Sequence, residues 1–187
     1  KVTGRAVYGA DVQLPNMTHG AILRSPHAHA KIISIDTSEA KKLSGVFAVI
    51  TGDDFETGID KDIEIGEGIS NFKYDSMNIM ARDKVGYVGH AVAAVNAKDK
   101  NTALEALKKI VVNYEVLEPV LTVDRALEKD SPVIQEDFEG VDINGGRSSK
   151  NVADYFQFNF GNIEKGFESS DIIVEKEFTM PMVHQGY

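Results

Sequence analysis

Apolar residues recur with two different periods along the first part of the chain. Residues 18–24 form a short apolar run, and Ser25-Pro26 separates it from a second run at 30–35. In that second run Ile33 and Ile35 fall on one face, which is the period of a strand. Because proline cannot extend a central strand, the pattern predicts two strands with a turn between them.

A first strand–helix–strand unit follows from the capping signals. Asp36 and Glu39 have capping-box spacing, and Gly45 stands where a left-handed C-cap is expected. The continuous apolar run Val46–Ile50 then predicts a strand. Such a β–α–β unit has a right-handed crossover if its two strands are parallel.

A second β–α–β unit is predicted further along the chain. Val85–Val95 is a strand entered through two glycines, Thr102 and Glu105 form another capping box, and 111–116 is a strand. Its helix is expected to bury one face, with a second set of side chains at the border. The buried stripe is predicted as Leu104, Leu107 and Val111, bordered by Ala103, Ala106 and Ile110.

The remaining segments are less regular. Residues 52–76 are weakly patterned and rich in Gly and Asp, which favours a long excursion. The sequence predicts a short helix at Val123–Lys129, a linker at 130–151, and strands at 155–160 and 171–180. The pattern therefore predicts a mixed α/β (α+β) fold with two β–α–β units.

Composition narrows the class of protein. A chain of 187 residues fits one domain, or one domain and part of another. The net charge of -9, from 29 acidic residues against 20 Lys and Arg, argues against nucleic acid and anionic membrane as partners. Without cysteine the chain carries no disulfide, thiolate zinc site or iron–sulfur cluster, which fits a cytoplasmic protein. No apolar run reaches the roughly 20 residues that span a bilayer.

Histidines and acids are the candidates for chemistry. His27 and His29 lie two apart with His19 nearby, so metal ligation and structural hydrogen bonding are both open, and the missing third ligand favours the structural role. His90 is a general base or a packed, backbone-bonded residue, and the lack of an orienting acid favours the second. The run 53–67 holds seven carboxylates and one lysine, which indicates a solvated loop more than a cation site.

Glycine motifs do not supply an active site either. Gly86-Tyr-Val-Gly89 lacks both the dinucleotide-binding pattern and the lysine of a phosphate loop, so it indicates a tight turn. The chain has no Gly-x-Ser-x-Gly elbow. A small metal-dependent hydrolase using His27, His29 and the acids of 53–67 stays open as a minor alternative.

Several motifs, in order, resemble the large subunit of the xanthine dehydrogenase and aldehyde oxidase family. They are Lys1–Asp11, Ile22–Ala30, Lys31–Asp36, Gly45–Thr51, Val85–Val95, Tyr114–Val120, Gly161–Phe167 and His184–Tyr187. Each motif is modest alone, and their order along nearly the whole chain makes the set specific.

The resemblance implies an architecture. It implies an α/β hammerhead domain at 1–125, a linker at 126–150, and the truncated beginning of the molybdenum-cofactor-binding domain at 151–187. Lys1 is not an initiator methionine, and the sequence stops after a strand-like run, so we expect a fragment of a longer polypeptide. The partners implied are the remainder of the large subunit and the FAD and iron–sulfur domains or subunits, in a homo- or hetero-oligomer.

The resemblance also implies a reaction class. Family members hydroxylate purines, aldehydes or heteroaromatic carbons with water, using a molybdenum pyranopterin and passing electrons to iron–sulfur clusters and FAD. The catalytic motifs of the family lie beyond Tyr187, so no catalytic or metal-binding residue is expected in this chain. Gln185 and Gly186 are the candidates for a cofactor contact. The alternative is a non-catalytic α/β interaction module.

Overall fold

Short strands and helices alternate along the chain in a computed structural model that describes residues 1–55, 62–65, 68–136, 140–143, 147–158 and 160–180. The strands are β1 His19–Arg24, β2 Ala30–Asp36, β3 Val46–Thr51, β4 Asp62–Ile65, β5 Gly68–Asn71, β6 Lys84–Val85, β7 Ala91–Ala97, β8 Val111–Val116, β9 Val141–Ile143 and β10 Arg147–Ser149. The helices are α1 Ser38–Lys41, α2 Phe72–Ile79, α3 Lys100–Leu107, α4 Val123–Leu127 and α5 Ile163–Glu168. Single 3-10 turns lie at Gly9–Asp11 and Gly52–Asp54.

Two three-stranded sheets form the framework. The first has the order β1–β7–β3 and the second the order β6–β2–β8, and β4–β5 and β9–β10 are separate hairpins. Every pairing between described strands is antiparallel. The mixed α/β fold class is thereby confirmed.

Both β–α–β units join one sheet to the other. The first runs from β2 in the second sheet to β3 in the first, and the second runs from β7 in the first sheet to β8 in the second. The two strands of each unit therefore do not lie parallel in one sheet, and the rule for right-handed crossovers does not apply to them. For the first unit the reason is length, because the connection from Asp36 to Val46 is shorter than the roughly dozen residues that a parallel return requires.

The core lies between α3 and the inner face of the first sheet. Its buried residues are Ala40, Val49, Ala93, Val95, Ala97, Ala103, Ala106 and Ile110. A second cluster holds Ala30, Ala81, Val85 and Val92. Ile35 and Val112 pack against both clusters, so the second sheet is tied to the first through β2 and β8.

The predicted buried face of α3 is only partly right, because Leu107 packs against the core and the other two predicted residues do not. Ala103 and Ala106 are fully buried, whereas Leu104 is 43% exposed and Val111 is 56% exposed. The helix packs on β1 and β7, and small side chains let it approach the sheet closely. The predicted helix start is also wrong, because Asp99 is the N-cap and its Oδ1 accepts from the Thr102 N–H at 2.7 Å.

Other elements depart from the sequence pattern. The stretch predicted as an excursion contains the β4–β5 hairpin and the first part of α2, and the predicted linker contains the β9–β10 hairpin. A turn at 86–90 divides the predicted strand Val85–Val95. No described residue of 155–160 or 171–180 belongs to a strand, because no neighbouring strand or core covers them.

None of the helices described in the structure is long and apolar enough to cross a membrane.

Candidate functional site

Two turns that lie far apart in the sequence are joined by hydrogen bonds. The Ser25 N–H donates to the His90 carbonyl at 2.8 Å, and the Gly89 N–H donates to the Ser25 carbonyl at 2.8 Å. Arg24 Nη1 donates to the Gly89 carbonyl, also at 2.8 Å. Gly89 has φ +89°, a conformation that favours glycine, so the backbone here depends on residue type. We call residues 24–27 and 86–90 together the turn clamp.

His90 anchors the clamp to the end of α2. Its Nε2 lies 2.9 Å from the Met77 carbonyl, and the Gly86 N–H donates to its Nδ1 at 3.3 Å. The two contacts together require a neutral imidazole with the proton on Nε2. Burial lowers the pKa of His90, and the hydrogen bond to the Met77 carbonyl opposes this in part. The Tyr87 ring stacks on the imidazole at 4.4 Å. His90 is therefore a backbone-bonded residue.

Ser25 organises the turn and reaches the second sheet. Its Oγ accepts from the His27 N–H at 3.0 Å and lies 2.9 Å from the His27 carbonyl. The His27 ring meets the Tyr114 ring edge to face at 5.0 Å. Burial raises the pKa of Tyr114, and a hydrogen bond to the Ser25 side chain opposes the shift. Residues of β8 are thus tied to the clamp.

His29 ties the start of β2 to the segment after β8. Its Nδ1 lies 2.7 Å from the Glu118 carbonyl, so Nδ1 carries the proton. The Leu117 N–H donates to the His29 carbonyl at 2.9 Å. The His29 Nε2 is buried without a hydrogen-bond partner among the residues that the structure describes. Its role in this part of the chain is structural.

A charged cluster lies in the segment that connects β8 of the second sheet to α4 and in the residues just after α4. Arg125 Nη2 pairs with Glu118 at 2.8 Å, and its Nη1 pairs with Glu128 at 2.5 Å and Asp130 at 2.9 Å. The three carboxylates raise the pKa of Arg125, and the guanidinium lowers the pKa of Asp130. The cluster fixes residues 118–130 against one another.

Asn151 gathers the segment that follows α4. Its Nδ2 donates to the Pro132 carbonyl at 2.9 Å and to Ser131 Oγ at 3.2 Å, and its Oδ1 accepts from the Ile134 N–H at 3.1 Å. An open cavity of about 470 Å³ lies beside it, lined mainly by apolar residues such as Val120 and Leu121. The predicted linker is therefore held in place at this point.

A second cavity, of about 240 Å³, lies against β6 and α2. Its lysines are engaged: Lys84 Nζ donates to the Ile134 carbonyl at 2.6 Å and pairs with Glu136 at 3.3 Å. Lys31 pairs with Glu115 at 3.7 Å. Both lysines of this cavity are thus paired with carboxylates of the chain.

The described residues do not form a metal-binding set. No group of three or more His, Cys, Asp and Glu lies close enough to hold an ion in the ranges that the structure describes. His27 faces Tyr114 and His29 faces a carbonyl, so the structure does not join them in a ligand shell. The acidic run 53–67 lies partly outside the described residues, as do Gln185 and Gly186, which stay sequence predictions.

Sequence reasoning missed the partners of the His90 and His29 rings. Met77 and Glu118 contribute backbone carbonyls to these two contacts, and such contacts leave no mark on residue type. The glycine at 89 was the available signal, since it predicted a tight turn. What the arrangement provides is a rigid junction between two sheets and α2, without a paired nucleophile and base.

Comparison with known proteins links this junction to one group of enzymes. Residues 3–118 match the family model described as aldehyde oxidase and xanthine dehydrogenase, a/b hammerhead domain. The carbon monoxide dehydrogenase large chain of Afipia carboxidovorans is 34% identical over 184 residues, which is 97% of this chain and 22% of that protein. The nicotinate dehydrogenase large molybdopterin subunit of Eubacterium barkeri is 31% identical over 179 residues, covering 96% of this chain and 37% of that one.

A solved structure shows the same fold. The aldehyde oxidoreductase from Desulfovibrio gigas matches with a TM-score of 0.60 at 30% identity, over 75% of this chain and 16% of its own. The chain thus spans about a fifth of the length of the first of these relatives.

Proposed function

The chain belongs to the aldehyde oxidase and xanthine dehydrogenase family, and from this premise we propose that it forms the N-terminal part of the large subunit of a molybdenum hydroxylase. The observation that carries the proposal is the extent of the match. It takes in 97% of this chain and only 22% of the Afipia carboxidovorans relative, starting with the hammerhead domain.

The role proposed for the described residues is structural. The turn clamp holds two sheets and α2 together through backbone carbonyls and amides. These groups are already hydrogen-bonded within the fold. His90 is neutral with both ring nitrogens engaged, so it is unsuited to take a proton from a substrate. Large enzymes bury their cofactors between domains that position them and exclude water. We assign this lobe to one such supporting wall.

We assign no part of a molybdenum pyranopterin site to the described residues. They provide no cluster of ligating side chains, and the lysines that line the 240 Å³ cavity are paired with carboxylates of the chain. We therefore propose that the cofactor is held mainly by other parts of the enzyme, with Gln185 and Gly186 as the candidate contacts in this chain. Iron–sulfur clusters and FAD are assigned to other domains or subunits.

The domain limits follow the same proposal. We divide the chain into a hammerhead domain at 1–125, a connecting segment at 126–150 and the start of the cofactor-binding domain at 151–187. The family match to residue 118 and the Arg125 cluster just beyond it support the first limit. The second limit rests on the sequence alone, and the hydrogen bonds of Asn151 tie its start to the connecting segment.

The proposed reaction is the oxidative hydroxylation of a carbon atom in a purine, in another heteroaromatic compound or in an aldehyde. In balance, the substrate C–H and one water give the hydroxylated product, two protons and two electrons. The electrons leave through the redox partners, which makes the enzyme an oligomer of several chains or a fused assembly. The substrate pocket is assigned to the remainder of the large subunit.

The proposal is tested on the complete gene product purified from its host. We expect stoichiometric molybdenum, and product oxygen derived from H₂¹⁸O with one substrate from a panel of purines, aldehydes and N-heteroaromatics. Residues 1–187 expressed alone should contain no molybdenum and should turn over none of these substrates. A full-length protein without molybdenum, or turnover by residues 1–187 alone, contradicts the proposal.

A further inference from the structure

The free edge of β3 lacks the features that normally protect an edge strand. β3 is one border of the first sheet, and among the described residues no strand pairs with its other side. Its residues, 46–51, include no charge and no proline, whereas the edge strands β1 and β8 carry Arg24 and Glu115. Proteins usually place charges or prolines on such edges, because an open edge recruits a further strand. The sequence of β3 therefore leaves this edge available to a partner strand.

The backbone groups that a partner strand needs point to this free edge. The Thr51 N–H donates to Asp54 Oδ2 at 2.7 Å, which turns it away from β7. Neighbouring residues of a strand direct their backbone groups to opposite sides, so Ile50, opposite Ala94, makes the ladder bonds to β7. Val49 accordingly directs its N–H and its carbonyl to the free edge.

The outer face of the strand is apolar as well. Val49 is 6% exposed and packs in the core of the first sheet, whereas Ala48 and Ile50 lie on the opposite, exposed face. Phe47, at the bulge between Val46 and Ala48, is 64% exposed. A strand added to β3 extends both the buried and the exposed face of the sheet.

We propose that β3 pairs with β3 of a second copy of the chain, antiparallel, about a two-fold axis at Val49. This register sets Val49 opposite Val49 of the other copy and Ala48 opposite Ile50, so each face stays continuous across the interface. A shift by one residue would set the buried Val49 opposite an exposed residue, which the alternation of a strand disfavours. The inference is independent of the proposed reaction.

Charge identifies a second copy as the occupant. The Lys98 side chain lies over Gly45, just before β3, because a Cβ at Gly45 would be 2.6 Å from Lys98 Cδ. Asp53 is exposed just after the strand. Gly45 and Asp53 are equally far from Val49, so the proposed register brings Lys98 of each copy to Asp53 of the other.

Both charged groups are available for this contact. Neither Lys98 nor Asp53 forms an ion pair within the described part of its own chain. The two-fold axis makes the contact twice, once at each end of the paired strands.

Cysteine pairing in the complete gene product tests the register. Ala48 and Ile50 of the other copy form a non-hydrogen-bonded pair, whose Cα atoms are about 4.5 Å apart and within disulfide range. On oxidation, a mixture of the Ala48→Cys and Ile50→Cys variants should form at least about 10-fold more linked dimer than either variant alone, because two copies of one position lie diagonally apart. The wild type measures the background from cysteines elsewhere in the gene product, and mass spectrometry identifies the linked positions.

Charge reversal tests the occupant. Adding Asp53→Lys to both cysteine variants sets like charges together at both contacts and should slow the linking about 10-fold. Adding Asp53→Lys to one variant and Lys98→Asp to the other restores opposite charges between the copies and should restore the rate. Asp124→Lys in both variants, an equal change of charge on α4, is the matched control and should leave the rate unchanged.

The other outcomes overturn the inference. A mixture that does not link does so, since both cysteines lie on the exposed face of β3. Linking that the charge reversal leaves unchanged contradicts the pairing of Lys98 with Asp53. A link from position 48 or 50 to a different subunit or segment identifies that element as the occupant of the edge. None of these readouts depends on molybdenum content, so their failure leaves the proposed function standing.

Discussion

Ser25 and His90 lie 65 residues apart in the chain, and the backbone N–H of the first donates to the carbonyl of the second at 2.8 Å. The bond joins the end of β1 to the start of β7, which are neighbours in the first sheet. It continues the antiparallel ladder past the bulge between Leu23 and Arg24. The two motif turns are therefore positioned by the sheet itself.

His90→Phe should destabilise the chain by about 1–3 kcal/mol, because it leaves the Gly86 N–H and the Met77 carbonyl without their partner. Urea unfolding followed by circular dichroism measures the change. Tyr87→Phe is the control, since it keeps the stacked ring and loses only a 3.4 Å hydrogen bond to Asn78. Equal losses for the two variants would contradict a stabilising role for the imidazole hydrogen bonds.

The stability should fall as the pH is lowered past the ordinary pKa of histidine. Burial puts the pKa of His90 below its usual 6.5, so the folded state binds fewer protons than the unfolded state. The contribution is complete above 6.5 and is lost as the pH falls through 6.5 towards the lower folded pKa. The free-energy gap between the wild type and His90→Phe should narrow from pH 8 to pH 5. A constant gap contradicts the neutral imidazole.

Ala106→Leu should destabilise the chain by about 1–3 kcal/mol, because Ala106 is fully buried between α3 and the sheet. Glu105→Leu places the same side chain on the exposed surface of the helix and should change the unfolding free energy by less than about 0.5 kcal/mol. Thermal and urea unfolding of the pair test whether Ala106 is buried against the sheet.

Asp99→Ala should lower the melting temperature by about 2–6 °C, because it removes the N-cap of α3. Thr102→Ala should lower it less, because it keeps the backbone N–H that donates to Asp99 and loses only the side-chain hydrogen bond. The same bond lowers the pKa of Asp99 below 3.8, so the difference between Asp99→Ala and the wild type should shrink only in strong acid. Thermal denaturation at pH 7 and pH 3 measures both effects.

Gly52→Ala should destabilise the chain by about 1–3 kcal/mol, since a Cβ there would lie 2.5 Å from the Ala81 carbonyl oxygen. At Gly86 a Cβ would meet nothing within 4 Å, so Gly86→Ala should be tolerated within about 0.5 kcal/mol. Chemical denaturation of the two variants is the test. A tolerated Gly52→Ala would mean that the segment 81–82 can move away.

Local pattern was sufficient for elements whose signal lies in their own residues. The strands at His19–Arg24, Ala30–Asp36 and Val111–Val116 were predicted because apolar runs and breakers bound them. The sheet to which each strand belongs was not predictable, because periodicity does not identify a strand's neighbour. The exchange of Leu104 for Ala106 in the core of α3 has the same origin: the distance to the sheet decides which side chain fits.

The candidate site was predictable only in part. Gly89 indicated a turn, and the ordered motifs identified the family, which the comparisons confirm. The contacts of His90 and His29 with carbonyls of Met77 and Glu118 depend on segments 13 and 89 residues away. No rule based on neighbouring residues reaches that far.

The alternation of strands between the two sheets constrains how the protein emerges from the ribosome. β7, the middle strand of the first sheet, is made after both of its neighbours, and β8 completes the second sheet only at Val116. A nascent chain therefore holds β1 and β3 without their shared partner until Ala97, and β2 without β8 until Val116. Termination before Val116 is expected to leave β2 with only its two-residue pairing to β6.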